Sequence, residues 1–344
     1  MTNFPTKAFG WFLFLCILAA SYFFMAGFVT MKNREVPTQY KPKASTSSSI
    51  SSPLNVLVWN IGYAGLGEES DFVADGGEML LPPDRDAIVK NLDGILRTLQ
   101  NSEFDVALMQ EVAEAGFLTR GVEVLGRIAE GLSDHSLFFS SDISTKWFPR
   151  RISLKHGLAI FSKDMKTQPQ VIRIDDEPER IMGFIKRKYH IQEMELVIDN
   201  QDWVIINIHL SAFDKSASVR TKQLETVFNI ANDHYQAGKA VVVGGDWNMR
   251  LGQTDFPYTS SEEALFWIHD FPQGAINDGW QKVFDPNGPT VRTNERPFNK
   301  GENYTTIIDG LVISPNVSLL EAKLINLDFK YTDHQPAIFK LEKN

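Results

Sequence analysis

The sequence predicts an α/β fold in which two sheets pack face to face and helices cover their outer faces. Three observations lead there. Stretches such as Trp203–Ile208 and Val241–Val243 are apolar almost without a break, and strands of that kind need cover on both faces. In the first half of the chain, strands alternate with helices that have one apolar face, whereas the end is mostly strand. Several of the strands also stop at Asn, Asp, Glu or His, as if their ends met at one place.

Composition narrows the field further. The 344 residues are 43% hydrophobic and 22% charged, which is globular and rules out a mostly disordered chain. A net charge of −9 excludes a polycation that coats nucleic acid, although a local basic groove on an acidic protein stays compatible. The single cysteine, Cys16, excludes a disulfide framework and a zinc-thiolate site.

Taken in order, the chain opens with Ala8 to Met31, 24 residues without a charge. That is enough helix to cross a hydrocarbon core of about 30 Å. A secretory signal cut near Ala19, Ala20 and Ser21 is the alternative, but Tyr22–Met25 continue the apolar run past such a cut, so an uncleaved single-pass anchor is expected. Lys32, Arg34, Lys41 and Lys43 after the segment outnumber Lys7 before it, which favours a cytoplasmic C-terminal side. The Ser-rich run up to Ser52 reads as a flexible tether within a linker over 32–52, and this favours a domain working outside the cytoplasm. The folded domain is expected over 53–344, as a monomer.

The first strand is Leu54–Asn60, followed by a Gly- and acid-rich loop over Gly62–Pro83, long enough to be functional. Asp84 caps a helix to about Leu99 with Ile88, Leu92, Ile95, Leu96 and Leu99 on one face. Phe104–Met109 is a buried strand ending in Gln110 and Glu111, and a helix covers about Val122–Leu132. His156 precedes a strand over Gly157–Ser162. Val171–Ile198 alternates as antiparallel strands do, and Trp203–Ile208 ends at His209. Ser218–Tyr235 is an amphipathic helix leading into the Val241 strand, where Gly244 and Gly245 stop the run before Asp246, Trp247 and Asn248. Strands over Tyr304–Ile313, Val317–Leu324 and Ala337–Leu341 close the chain.

Any one of these acidic strand ends is an ordinary Asx turn. Asn60, Glu111, His209, Asp246 with Asn248, Asp309, and Asp333 with His334 form a set that turn chemistry alone does not explain. Oxygen ligands with histidines suit a hard divalent cation and proton transfer.

In chain order, Trp59-Asn60, Leu108–Glu111, His156–Ser162, Asn207–Leu210, Gly244–Asn248, Ile308–Val312 and Thr332–Pro336 together resemble the endonuclease/exonuclease/phosphatase superfamily. These are the Mg-dependent phosphodiesterases related to pancreatic-type deoxyribonuclease and the neutral sphingomyelinases. The resemblance runs from about Leu54 to the C-terminus and implies a four-layer α/β/β/α sandwich with two mixed, largely antiparallel sheets. It implies Mg²⁺, or Mn²⁺ in its place, on Glu111 with Asn60 beside it and Asp333 joining. Asp246 would activate the attacking water and Asn248 would donate to the phosphate. His209 and His334 would bind the phosphoryl group, with Asp309 holding the His334 tautomer.

Substrate is less legible. Lys146, Arg150, Arg151 and Lys155 cluster near Trp147 and Phe148, and Arg292, Arg296 and Lys300 lie near Phe298. Arg150, Arg151 and His156 are the substrate-contact candidates; mixed aromatic and basic residues suit base stacking and a membrane interface alike. The expectation is a nuclease-type phosphodiesterase acting on nucleic acid. A sphingomyelinase-like phospholipase acting on a lipid headgroup and a catalytically silent membrane-tethered binding protein are the alternatives.

Overall fold

The computed structural model describes residues 6–43, 49–145, 147–175, 177, 185–212 and 216–344. Helix α1 (Thr6–Lys32) leads into strand β1 (Thr38–Lys41), then β2 (Leu54–Asn60), α2 (Arg85–Gln100), β3 (Val106–Ala113) and α3 (Val124–Gly131). There follow β4 (Ser136–Ser144), β5 (Lys155–Ser162), β6 (Gln170–Arg173), β7 (His190–Ile198), β8 (Gln201–His209), α4 (Ser218–Gln236) and β9 (Ala240–Asp246). The end is strand: β10 (Gln281–Val283), β11 (Val291–Arg292), β12 (Thr305–Thr306), β13 (Asp309–Ile313), β14 (Val317–Leu324) and β15 (Ala337–Lys343).

One sheet runs β1-β4-β5-β3-β2-β15-β14 and the other β10-β13-β9-β8-β7-β6. Each is antiparallel except for one central parallel pair, β2 with β3 and β8 with β9. Period-two alternation sorts the strand residues into layers. Val56, Val58, Val106 and Leu108 of the first sheet meet Met194, Ile205, Val242 and Leu311 of the second between the sheets. Leu57, Trp59, Ala107 and Met109 point the other way, onto Ile88, Leu92, Ile95 and Leu99 of α2 and Leu125 and Ile128 of α3. Val204, Ile206, Val241 and Val243 meet Leu224, Val227 and Phe228 of α4. The architecture is the expected four-layer α/β/β/α sandwich, and the Asp84 side chain accepts from the Ala87 N–H at 2.7 Å to start α2 as expected.

Gly244 is needed where the sheets come closest. A Cβ there would lie 2.3 Å from Leu311 Cδ2 and 2.9 Å from Leu108 Cδ1. Beyond it, Gly245 takes φ 144° and lets β9 turn towards Asp246.

Three local features differ from expectation. Strand β3 does not stop at Glu111 but continues to Ala113, with a register shift between Met109 and Val112 against β5. His156 lies inside β5 rather than before it. The linker over 32–52 contributes β1 ahead of its Ser-rich run, pairing with β4 in register from Thr38 opposite Ser140 to Lys41 opposite Leu137, while 44–48 of the Ser-rich run lie outside the described residues. Strand β4 went unread because Ser140, Ser141 and Asp142 break its apolar pattern, although every residue of it is buried. Helix α1 is long and apolar enough to cross a membrane, and its apolar residues are mostly exposed.

Candidate active site

Topology brings the strand ends together. The parallel pairing of β2 and β3 sets Asn60 opposite Gln110, and that of β8 and β9 sets His209 opposite Asp246. Antiparallel β13 puts Asp309 opposite Asp246 from the other side. Strand β15 enters antiparallel to β2, so Asp333 and His334 just before it reach the same end of the sandwich. Glu111 sits at the bulge in β3 with φ 54°, and the bulge turns its side chain from the sheet into the cleft. Glu111, His209 and Asp246, together with Asn60, His156, Asn248, Asp333 and His334, line a cleft of about 220 Å³.

Asp246 is its centre. Oδ2 accepts from Asn60 Nδ2 at 2.9 Å, and lies 3.5 Å from His209 Nε2 and 3.8 Å from His334 Nε2. Oδ1 accepts from the Asn248 N–H at 2.9 Å. Burial and the nearby Asp309 charge push the Asp246 carboxyl up to about 7.

His334 Nδ1 lies 2.9 Å from Asp309 Oδ2. Burial disfavours its charge, but the Asp309 and Asp246 carboxylates outweigh that and raise it to about 10. Asp246, Asp309 and His334 also have ligand atoms within 4.8 Å of one another, the spacing of a metal site. We read them instead as an acid–base set, because the His334 imidazolium puts a cation inside the cluster and Mg²⁺ prefers oxygen ligands.

On the opposite side, His209 Nδ1 accepts from Arg187 Nη2 at 2.9 Å. Burial and the Arg187 charge hold His209 down to about 3, so the ring is neutral and its proton sits on Nε2, facing Asp246 and, at 3.8 Å, Glu111 Oε1. Arg187 Nε also donates to Asp142 Oδ2 at 2.7 Å, and Asp142 Oδ1 holds His156 Nδ1 at 2.8 Å. Burial would lower His156, but Asp142 and Glu111 raise it to about 9. Burial likewise works against the Glu111 charge, yet His156, His209 and Arg187 hold Glu111 down to about 2. His156 Nε2 lies 3.7 Å from Glu111 Oε2.

Beyond Glu111, two further carboxylates gather, Asp75 and Asp333. Burial, then the charges of Asp333 and Glu111, push Asp75 up to about 7 although its hydrogen bond from Asn294 pulls down. Burial also raises Asp333, helped by Glu111. Asn294 Nδ2 donates to Asp333 Oδ2 at 2.7 Å and to Asp75 Oδ2 at 3.0 Å, while its Oδ1 is buried without a partner among the described residues. Arg292 lies nearby, but its guanidinium donates to the carbonyls of Gly67, Ser70 and Thr293. The all-oxygen donor set of Glu111, Asp333 and Asp75 fits a hard divalent cation.

The expected residues fall into three groups. Glu111, His156, His209, Asp246, Asn248, Asp333 and His334 line the cleft, and Asp309 stands directly behind His334. Asn60 lines it too; its amide Nδ2 holds Asp246, and its Oδ1 accepts from the Gly62 N–H at 3.0 Å and keeps a second lone pair. Arg150 and Arg151 stand exposed on the turn Arg150–Ile152 and do not line the cleft; Arg150 pairs with Glu123. Lys155 pairs with Glu114 at 2.9 Å, and Lys146 lies outside the described residues. Arg187, Asp142, Asp75 and Asn294 escaped the sequence reading. Arg187 sits in a Lys-Arg-Lys run that looks like a solvated loop, and nothing in the sequence marks it as buried.

No protein-family model matches the sequence, and no curated protein matches it. Solved structures do match the fold. An endonuclease/exonuclease/phosphatase from Beutenbergia cavernae superimposes with TM-score 0.57 at 18% identity over 85% of this chain and 72% of its own. Truncated TDP2 from Caenorhabditis elegans gives 0.54 at 16% identity over 84% and 97%. TDP2 from D. rerio, in a complex with a single-strand DNA product, gives 0.52 at 16% identity over 85% and 100%. Two mixed sheets, the order of their strands and a cleft at the ends of both parallel pairs give this chain the endonuclease/exonuclease/phosphatase fold.

Proposed function

We propose that this protein hydrolyses phosphodiester bonds, with a divalent cation and a water molecule as nucleophile. The observation that carries the reading is Asp246. One carboxylate is fixed by Asn60 and by the Asn248 N–H between two histidines of opposite charge state, on the floor of an open cleft. With its carboxyl near 7, Asp246 is ionised in a large fraction of molecules at neutral pH and basic enough to take a proton from water. Neutral His209 presents Nε2–H, and the Asn248 side chain, anchored by its donation to the Leu210 carbonyl at 2.9 Å, keeps a second N–H for a phosphoryl oxygen. Imidazolium His334, held by Asp309, donates towards the same group and is placed to protonate a departing oxygen. Glu111, with Asp333 and Asp75, would hold Mg²⁺ or Mn²⁺. When bound, that ion supplies charge neutralisation at the phosphoryl oxygens.

The leading substrate reading is nucleic acid, supported by the DNA product in the D. rerio neighbour. A second reading, a lipid phosphodiester, is favoured by the walls of the cleft, where Leu66, Phe72, Leu80, Phe117, Leu118 and Leu154 stand beside the polar floor. Helix α1 reads as a single-pass anchor, with a signal sequence as the alternative.

The test uses the full chain with Mg²⁺ on bis(p-nitrophenyl) phosphate, plasmid DNA, RNA and sphingomyelin vesicles, with Asp246→Ala as the blank. Turnover that needs the metal and vanishes in Asp246→Ala supports the reading, and the preferred substrate names the class. No turnover on any of the four sinks it and leaves a membrane-tethered binding protein.

A further inference from the structure

Helix α1 does not simply lead away from the domain. The Tyr22 hydroxyl donates to the Trp147 carbonyl, and the Phe23 ring packs against Phe148 at 6.1 Å. Ala26 and Thr30, at the four-residue spacing that continues from Tyr22 along one helix face, are buried, while most of the other apolar side chains of α1 are exposed. Only residues 33–37 separate α1 from β1, and along them the Glu35 carbonyl accepts from Lys188 Nζ and the Pro37 carbonyl from the Ser141 N–H. The helix is thus tied to the edge of the first sheet with little slack.

The segment that meets α1 joins β4 to β5. It is closed at its base by the pair Thr145 and Leu154, and it carries Trp147, Phe148 and Ile152. Trp147 is 65% exposed and Ile152 41% exposed. Leu154, at the base of this loop, lines the cleft, so the segment that touches α1 at its apex belongs to the cleft wall at its base.

Helical rise fixes the depth. Tyr22 lies ten residues before Lys32 at the end of α1, about 15 Å along the axis. That is about half of a hydrocarbon core of roughly 30 Å. If α1 crosses a bilayer up to Lys32, the loop that touches it at Tyr22 cannot stay in the water. Trp147 and Ile152 are the exposed apolar side chains that the loop carries into that bilayer.

We infer that the Trp147–Ile152 loop docks into the same bilayer leaflet that α1 enters and seats the mouth of the cleft on the membrane surface. The partner is the lipid surface itself, committed to by the anchor fixed against the loop. The site then meets phosphodiesters carried by the membrane, their apolar part running along Leu154 and its neighbours. This substrate consequence rests on the phosphodiesterase reading, whereas the docking does not.

Two readouts separate the two. Full chain carrying Cys16→Ser is reconstituted in phosphatidylcholine–sphingomyelin vesicles with a nitroxide on Ile152→Cys or, as control, on Val197→Cys at the far end of the sandwich. The Ile152 label is expected to collide preferentially with oxygen, and the Val197 label with a water-soluble nickel complex. A Ile152 label as water-exposed as the control overturns the docking. In the second readout, Trp147→Ser with Ile152→Ser is expected to slow hydrolysis of a vesicle-borne ester by about tenfold or more while leaving bis(p-nitrophenyl) phosphate turnover unchanged. Equal loss on both esters, or loss on neither, overturns the coupling of docking to access. A wild-type chain that hydrolyses neither ester refutes the phosphodiesterase reading, and the nitroxide depth still decides the docking.

Discussion

Arg187 is where structure and chemistry can be pried apart. Its guanidinium does two jobs: Nε pairs with Asp142 at 2.7 Å, and Nη2 donates to His209 Nδ1 at 2.9 Å. Replacing it in Arg187→Met leaves Asp142 buried with one cationic partner, His156 at 2.8 Å. Removing one member of a buried ion pair costs about 3–5 kcal/mol, and the surviving His156 contact places this case at about 3 kcal/mol. Denaturant titration of the full chain in detergent reads that loss directly. The catalytic effect is separate. Without a donor at Nδ1, His209 is free to carry its proton there, and Nε2 then presents a lone pair to the phosphoryl group. One preorganised donor is worth about 10²–10³ in kcat, so partial loss of the right tautomer predicts a fall of about 10–100-fold. With the nearest cation gone, the His209 pKa moves up from about 3, which ¹H–¹⁵N titration of the imidazole detects. Arg187→Gln supplies an N–H for His209 but no charge for Asp142, so it should recover much of the kcat and little of the stability. Wild-type kcat in Arg187→Met, or a glutamine variant no better than methionine, would falsify the tautomer argument.

The remaining predictions concern the acid–base set and the sheet contact. Asp246 titrates near 7 and must be ionised to act as base, whereas His334 titrates near 10 and must be protonated to act as acid. The rate on a soluble ester should therefore rise as pH passes 7 and fall as it passes 10; a profile flat across 6–8 would remove Asp246 as the base. Asp309→Asn keeps the shape but no longer stabilises the imidazolium, so kcat should fall by about 10²–10⁴ and the alkaline limb should move to lower pH, with KM little changed. Gly244→Ala drives a methyl into Leu311 and Leu108 between the sheets, and should cost about 1–3 kcal/mol in denaturant titration while sparing the pH profile.

Much of this was legible in the residues, for physical reasons. Unbroken apolar strands such as Val241–Val243 announced double-sided burial, and the Asp84 cap and apolar face of α2 announced a helix end and its packing side. Strand ends carried the floor of the cleft because a buried strand that stops in a carboxylate or imidazole has few other uses for it. What stayed hidden were groups whose environment is made by distant chain. Arg187 and Asp142 become a buried pair only because β4 and the segment before β7 are brought together, 45 residues apart. Asp75 and Asn294 meet across 219 residues, with no local signal in either loop. The basic loops hide partners of the same kind: Arg150 and Lys155 pair with Glu123 and Glu114 within the domain, which a list of charges does not reveal.

Strand β1 alters what it would take to part the sandwich from helix α1. The Ser-rich stretch that invites a protease comes after β1, not before it. A cut there severs the backbone but leaves α1 attached to the domain through a four-residue ladder on β4, the Lys188 and Ser141 hydrogen bonds, and the Tyr22 and Phe23 contacts. Such a nicked molecule behaves as a two-chain complex that holds together in native buffer and separates in denaturant. Separating α1 from the sandwich by proteolysis alone would need a cut within 33–37, the short stretch held to the sheet edge through the Glu35 and Pro37 carbonyls.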